Sequence, residues 1–392
     1  MKRRIIYIIA FTFLNINLFS QNEIKNVISE IENNNTMLTA LRSSMEAEKI
    51  GNRTGNFLQN PEVEFHYLWS DPASMGNRTD ISITQGFDFP TAYKHRNDIS
   101  ELKDQQVEIE YLRQLKDLRF EVRKICLKLI YSNALRNEYV SRRDHASEIA
   151  AYYKTKYESG ESNIIEYNKI QLVNVSAGNK LSMIEMEIDE LNKELSSLNG
   201  GKSIDFLLSN FPEYIIPEDF DSWYAEAEIA NPVLNWIKQE IEINRAREKY
   251  SKAMSMPKIE AGYMSEAIVG EQFQGLIVGM SIPLWENKNT VKHAKGNTVA
   301  YQDLELDKKT EYYNHLKSLY SKAVMLKNNV DSYRNELSLL SNIELLKKAL
   351  DSGEISLIEY VYEFSIYYES IDNLLDMELE LNQTLAKLNQ YS

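Results

Sequence analysis

Apolar residues along this chain recur in two rhythms. Leu112, Leu115, Leu118, Val122, Ile125 and Leu129 step by three and four, close to the 3.5-residue period of a coiled-coil seam. Elsewhere the period is two. Val63, Phe65, Tyr67 and Trp69 alternate with Glu62, Glu64, His66 and Ser70, with Leu68 among the polar set. Ile81, Ile83, Phe87 and Phe89 alternate with Asp80, Ser82, Thr84 and Asp88. Farther on, Ile259, Ala261 and Tyr263 alternate with Lys258, Glu260 and Gly262. Leu276, Val278, Met280, Ile282 and Leu284 alternate with Gly275, Gly279 and Ser281, although Ile277 joins the polar side. These runs predict two β-hairpins among long helices.

Breakers set the helix lengths. The 392 residues include 14 glycines and 8 prolines, well below the usual share of about 7% and 5%. Neither residue occurs between Thr91 and Ser159, from Asn297 to Ser352, or from Glu354 to the end. Very long helices are expected there, and one of about 60 residues would extend roughly 90 Å. Such helices must pack side by side into a rod or tube.

The chain is written twice. Glu158-Ser-Gly-Glu-Ser-Asn-Ile-Ile-Glu-Tyr167 and Asp351-Ser-Gly-Glu-Ile-Ser-Leu-Ile-Glu-Tyr360 agree at six of ten positions. Pro61-Glu-Val-Glu-Phe-His-Tyr67 aligns with Pro257-Lys-Ile-Glu-Ala-Gly-Tyr263, Asn35 and Leu38 with Asn231 and Leu234, and Pro90 with Pro283, all at nearly one offset. The expected organisation is a signal peptide over 1–20 and a first repeat over 21–199, with hairpin 61–90, long helix 94–158 and tip turn 158–164. A linker follows over 200–221. The second repeat covers 222–392, with hairpin 257–285, long helix 290–350 and tip turn 351–357.

Composition narrows the function. Residues 1–20 open with Lys2, Arg3 and Arg4, continue with the apolar run Ile5 to Phe19, and end near Ser20, the pattern of a secretory signal. The net charge of −14 leaves no basic excess for nucleic acid. A mean hydropathy of −0.43 excludes a bundle of apolar spanning helices. One cysteine, Cys126, excludes an internal disulfide and a cysteine-rich metal site. The histidines His66, His95, His145, His293 and His315 form no metal-spaced pair, no phosphate loop is present, and neither a catalytic nor a cofactor site is read from the residues. The strands fit either a half-buried soluble sheet or a transmembrane barrel, apolar outside and polar inside. Four strands cannot close such a barrel around water, so several copies would have to share one.

The duplication, the Asn60-Pro61-Glu62-Val63 start of the first hairpin, the Ser281-Ile282-Pro283-Leu284 end of the second and the two glycine-centred turns together resemble the TolC family of outer-membrane efflux proteins. The form at 352–360 looks most like its heavy-metal efflux branch. The resemblance implies a mainly α fold with a small β part: two long-helix coiled-coil repeats whose hairpins build a trimeric 12-stranded β-barrel above an α-helical barrel. It implies no enzyme and no cofactor. It implies a homotrimer in outer-membrane lipid, reaching into the periplasm, working with a periplasmic adaptor protein and an inner-membrane pump of the RND type. The cargo would be heavy-metal cations or small toxic compounds. The alternatives are the exit duct of a type I protein secretion system and a secreted coiled-coil scaffold without a pore.

Carried over by motif, the adaptor-docking tips are Gly160, Ser162, Asn163 and Ile164, with Gly353, Ile355, Ser356 and Leu357. Glu166 and Glu359 follow their turns by one spacing and would form acidic rings at the entrance, or else are a solvated helix face. Val63, Phe65, Tyr67, Ile81, Ile83, Leu276, Val278 and Met280 are expected to face lipid.

Overall fold

The computed structural model describes residues 21–213, 215–339 and 343–391. The signal sequence expected at 1–20 lies outside the described residues. The chain divides into two units, each assembled from both sequence repeats.

One unit comprises the described residues up to Thr39, Leu115–Ala227 and Tyr313–Ser392. Helix α1 (21–34) runs into α2 (Thr36–Asn52) through Asn35, whose side chain accepts from the Leu38 amide at 2.9 Å and whose Nδ2 donates to the Leu198 carbonyl at 2.8 Å. Helix α3 (Pro90–Glu158) is continuous over 69 residues, and only its second half belongs to this unit. Helix α4 (Ile164–Leu198) returns from the first tip. The core is an interlock of helical faces. Ile24, Val27, Ile28 and Ile31 of α1 meet Val122, Ile125, Cys126, Leu129 and Ile130 of α3 and Ile184, Ile188, Leu191 and Leu195 of α4, all spaced by threes and fours. The linker sends Phe206 into it. The coiled-coil seam of α3 is therefore real from Leu118 onward, whereas Leu112 is half exposed.

Gly200 closes α4 against the end of α1. Its φ is +65°, and a Cβ there would stand 2.6 Å from the Asn34 carbonyl oxygen. Only glycine fits both demands.

The other unit comprises Ala40–Gln114 and Glu228–Tyr312. Here α6 (Pro232–Ala253), which follows α5 (Phe220–Ala230), begins at Asn231. The Asn231 side chain accepts from the Val233 and Leu234 amides at 2.8 and 3.2 Å. The duplicated Asn and Leu pairs thus have one physical meaning: a helix N-cap followed by that helix's first fully buried leucine.

The four strands β1 (Glu62–Leu68), β2 (Arg78–Phe87), β3 (Lys258–Ile268) and β4 (Glu271–Ser281) form one antiparallel sheet in chain order. β1 spans seven residues. The β3–β4 turn is the two-residue Val269-Gly270, both at positive φ, the geometry whose twist matches the flanking strands. Helix α7 (Thr290–Leu339) leaves the second hairpin. Helix α8 (Ile343–Asp351) leads to the second tip, and α9 (Leu357–Leu388) returns from it into the helical unit.

Candidate functional site

The sheet register decides which strand residues share a face. Val63 pairs with Ile83, Ile83 with Tyr263 and Tyr263 with Leu276, so one apolar row crosses all four strands. Phe65 with Ile81, Tyr67 with Thr79, Ala261 with Val278 and Ile259 with Met280 lie on the same side. All eight strand residues predicted to face lipid therefore fall on one face. They are not covered: Val63 is 68% exposed, Leu276 85% and Val278 82%. Trp69 and Trp285, just beyond the strand ends, are likewise exposed. β1 and β4 each have a neighbour on one side only within the chain.

The opposite face is mixed, with Leu68, Met264, Ile268, Phe273 and Ile277 among its residues and an excess of acids. It carries Glu62, Glu64, Asp80, Glu260, Glu266 and Glu271 against the cations Arg78 and Lys258. Arg78 Nε reaches Asp80 Oδ1 at 2.8 Å and Glu266 Oε1 at 3.0 Å, and His66 stands opposite Asp80. Glycines keep this face low. A Cβ on Gly262 would meet the Ile83 carbonyl oxygen at 2.5 Å. No helix among the described residues is long and apolar enough to cross a membrane.

The two tips share one construction. α3 ends with Gly160 at φ +82°, its amide bonding the Tyr157 carbonyl while Glu161 N donates to the Lys156 carbonyl at 2.8 Å. α8 ends with Gly353 at φ +74°, its amide bonding the Leu350 carbonyl while Glu354 N donates to the Ala349 carbonyl at 2.9 Å. Both are the paired-bond stop that places glycine just past a helix end. The next helix is then capped. Asn163 accepts from Ile165 and Glu166 amides, each at 3.0 Å. Ser356 Oγ accepts from the Glu359 amide at 3.2 Å, and the Glu359 carboxylate accepts from Ser356 N at 2.8 Å, a reciprocal box.

Glu166 and Glu359, the acids expected at an entrance, are engaged locally. Glu359 is held below the usual carboxylate range by the Ser356 amide and then by its hydroxyl. Glu166 accepts from Ser162 Oγ at 2.6 Å. The repeats diverge in their apolar residues. Leu357 is buried in a small cluster with Ala150, Tyr153 and Ile170, whereas the matching Ile164 is 46% exposed and Ile165 72%. Ile355 is half-buried.

Behind the tips, within the same unit, lies a cavity of about 630 Å³. Its floor is α3, and its flanks are α4 and α9. Arg142 is almost fully buried there. It makes a forked pair with Asp372 at 2.7 and 3.0 Å, and its guanidinium lies 4.4 and 4.5 Å from the ring centres of Tyr139 and Tyr368. His145, one turn on, has Nδ1 3.0 Å from the Tyr368 hydroxyl and Nε2 2.8 Å from that of Tyr360. Sequence reasoning missed this group. Its signal was present in the Tyr360, Phe364, Tyr368 and Asp372 spacing of four and in Arg142 and His145 three apart, which put each set on one helix face. Among the described residues, no group of three or more His, Cys, Asp or Glu could hold a metal ion.

No family model matches the sequence, and the comparison with curated proteins finds no relative. Solved structures do match. CusC, studied for transmembrane channel formation, superposes with a TM-score of 0.76 at 14% identity, covering 94% of this chain and 91% of its own. The CmeC outer membrane channel of Campylobacter jejuni gives 0.77 at 13%, with 94% and 85% covered. The chain has the TolC-type fold of these outer-membrane channels. The open-state MtrE outer membrane channel of Neisseria gonorrhoeae follows at 0.74 and 11%, with 94% and 88% covered. At these identities the likeness is one of fold: two duplicated hairpins and long helices in the same arrangement of elements.

Proposed function

We propose that this protein is the outer-membrane exit duct of a tripartite efflux system, working as a homotrimer. The observation that carries the reading is the sheet. An exposed apolar face on strands of 7 to 11 residues, in a sheet with two unfilled edges, is unstable in water and suited to lipid. Three copies joined edge to edge give twelve strands, enough to enclose a polar lumen. The excess of acids on the inner face favours cations, in keeping with heavy-metal cations as cargo, beside small toxic compounds. In this reading the exposed Ile164 and Ile165 and the two glycine stops form the periplasmic surface that meets an adaptor, which couples the duct to an inner-membrane pump of the RND type. Glu166 and Glu359 line the entrance, six residues past each glycine.

The test is reconstitution. The purified mature protein should require detergent, run as a trimer in chemical cross-linking, and conduct ions in planar bilayers with a preference for cations. A detergent-free soluble species without conductance would instead identify a secreted coiled-coil scaffold.

A further inference from the structure

The cavity behind the tips holds a titratable group whose two hydrogen bonds tie one helix to another. His145 belongs to α3, while Tyr360 and Tyr368, the hydroxyls at its two nitrogens, lie two turns apart on α9. Between them Phe364 packs its ring centre 4.5 Å from the imidazole. We propose that His145 is a proton-operated latch: neutral, it pins α9 onto α3 behind the tips, and protonated, it releases α9 and loosens the tip.

The surroundings favour the neutral ring. Burial is the first cause that lowers the His145 pKa; Glu148 opposes it and Lys347 adds to it. The charged groups around the ring come from α3, α4, α8 and α9. On α3, Arg142 is already matched by Asp372 of α9, so that carboxylate is not free to neutralise an imidazolium. Glu148 of α3 is engaged by Lys347 of α8 at 3.0 Å. α4 contributes Lys169 and Lys180 to the cavity lining, and α9 contributes Glu369 at its rim. The tyrosine hydroxyls stay protonated, that of Tyr368 pushed up to about 12 by burial. An imidazolium could still donate to both of them. The driving force for release is therefore the cost of a desolvated charge at the ring, not the loss of hydrogen bonds.

The sign follows from linkage. A histidine with a lowered pKa in the latched state contributes its full hold above its free pKa of about 6.5. That hold declines as pH falls below this value and is gone once pH has passed through the latched pKa. Acidification thus shifts the population toward a released α9. The consequence for conduction rests on the duct reading; the latch itself does not.

Amide hydrogen exchange of residues 360–372 in the detergent-solubilised full chain, corrected for intrinsic rates, tests this at about pH 7.5 and about pH 5.5. Corrected exchange in the native protein should accelerate severalfold at the lower pH. His145→Gln, which keeps a donor and an acceptor but cannot charge, should show no acceleration, and His145→Lys should exchange fast at both values. In bilayers the native current should rise on acidification and the His145→Gln current should not. Equal acceleration in the native and His145→Gln proteins, or none in either, overturns the latch. No current at any pH with the exchange response intact overturns the duct reading and leaves the latch supported.

Discussion

Ile83 and Val63 stand opposite each other across β2 and β1, both in the open, while Thr84, the next residue of β2, faces the other side opposite Gly262. One peptide step therefore separates the exposed apolar face from the opposite face of the sheet. Arg at Ile83 should cost about 2–4 kcal/mol near the bilayer midplane, and Arg at Thr84 much less. Denaturant titration in lipid vesicles measures the difference. Equal tolerance at the two positions would remove the lipid-facing assignment.

Gly262→Val should separate β2 from β3. The added side chain begins 2.5 Å from the Ile83 carbonyl oxygen and 2.8 Å from a Thr84 methyl, and backbone cannot give way as a side-chain end can. Loss of assembled barrel on unheated gel electrophoresis is expected. Gly275→Val, with open space at its Cβ, should assemble normally.

Asn163→Ala removes the side chain that satisfies two amides at the start of α4. A loss of about 1 kcal/mol is expected, confined to the first tip. Exchange of the Ile165 and Glu166 amides should quicken while that of the Ile184 to Leu195 stretch stays slow.

Glu359 has a lowered pKa because it accepts from Ser356, so its capping contribution is complete above the ordinary carboxylate value and is lost as pH falls through the depressed one. The second tip should fray in strong acid, well below the range in which His145 charges. Glu359→Gln, which can still cap but does not titrate, should flatten that acid limb in exchange measured at Leu357 to Tyr360.

Replacing Glu166 and Glu359 together by Gln should lower cation preference in planar bilayers, most clearly at low salt, where screening is weak. Unchanged selectivity there would leave Glu359 as one half of the capping box with Ser356 and Glu166 as a solvated residue bonded to the Ser162 hydroxyl.

The sequence by itself determined the elements, because their causes are local. Sparse breakers permit α3 to run 69 residues, the period of two marks the strands, and glycine followed by Asn163 or Ser356 stops one helix and caps the next. Repetition of those local signals revealed the duplication. Which residues would be spent inside the chain and which left outside was decided only in three dimensions. Ile164 and Leu357 occupy the same place in the two repeats, yet one is half in solvent and the other packs on Ala150, Tyr153 and Ile170. Leu112 begins a coiled-coil rhythm that becomes a core only from Leu118 onward. Arg142 and Asp372 are 230 residues apart, and His145 meets Tyr360 across a similar gap. No periodicity along one helix states which turn of a distant helix it will face. That choice belongs to the packing of whole helix surfaces, where many weak contacts summed over long faces set the register.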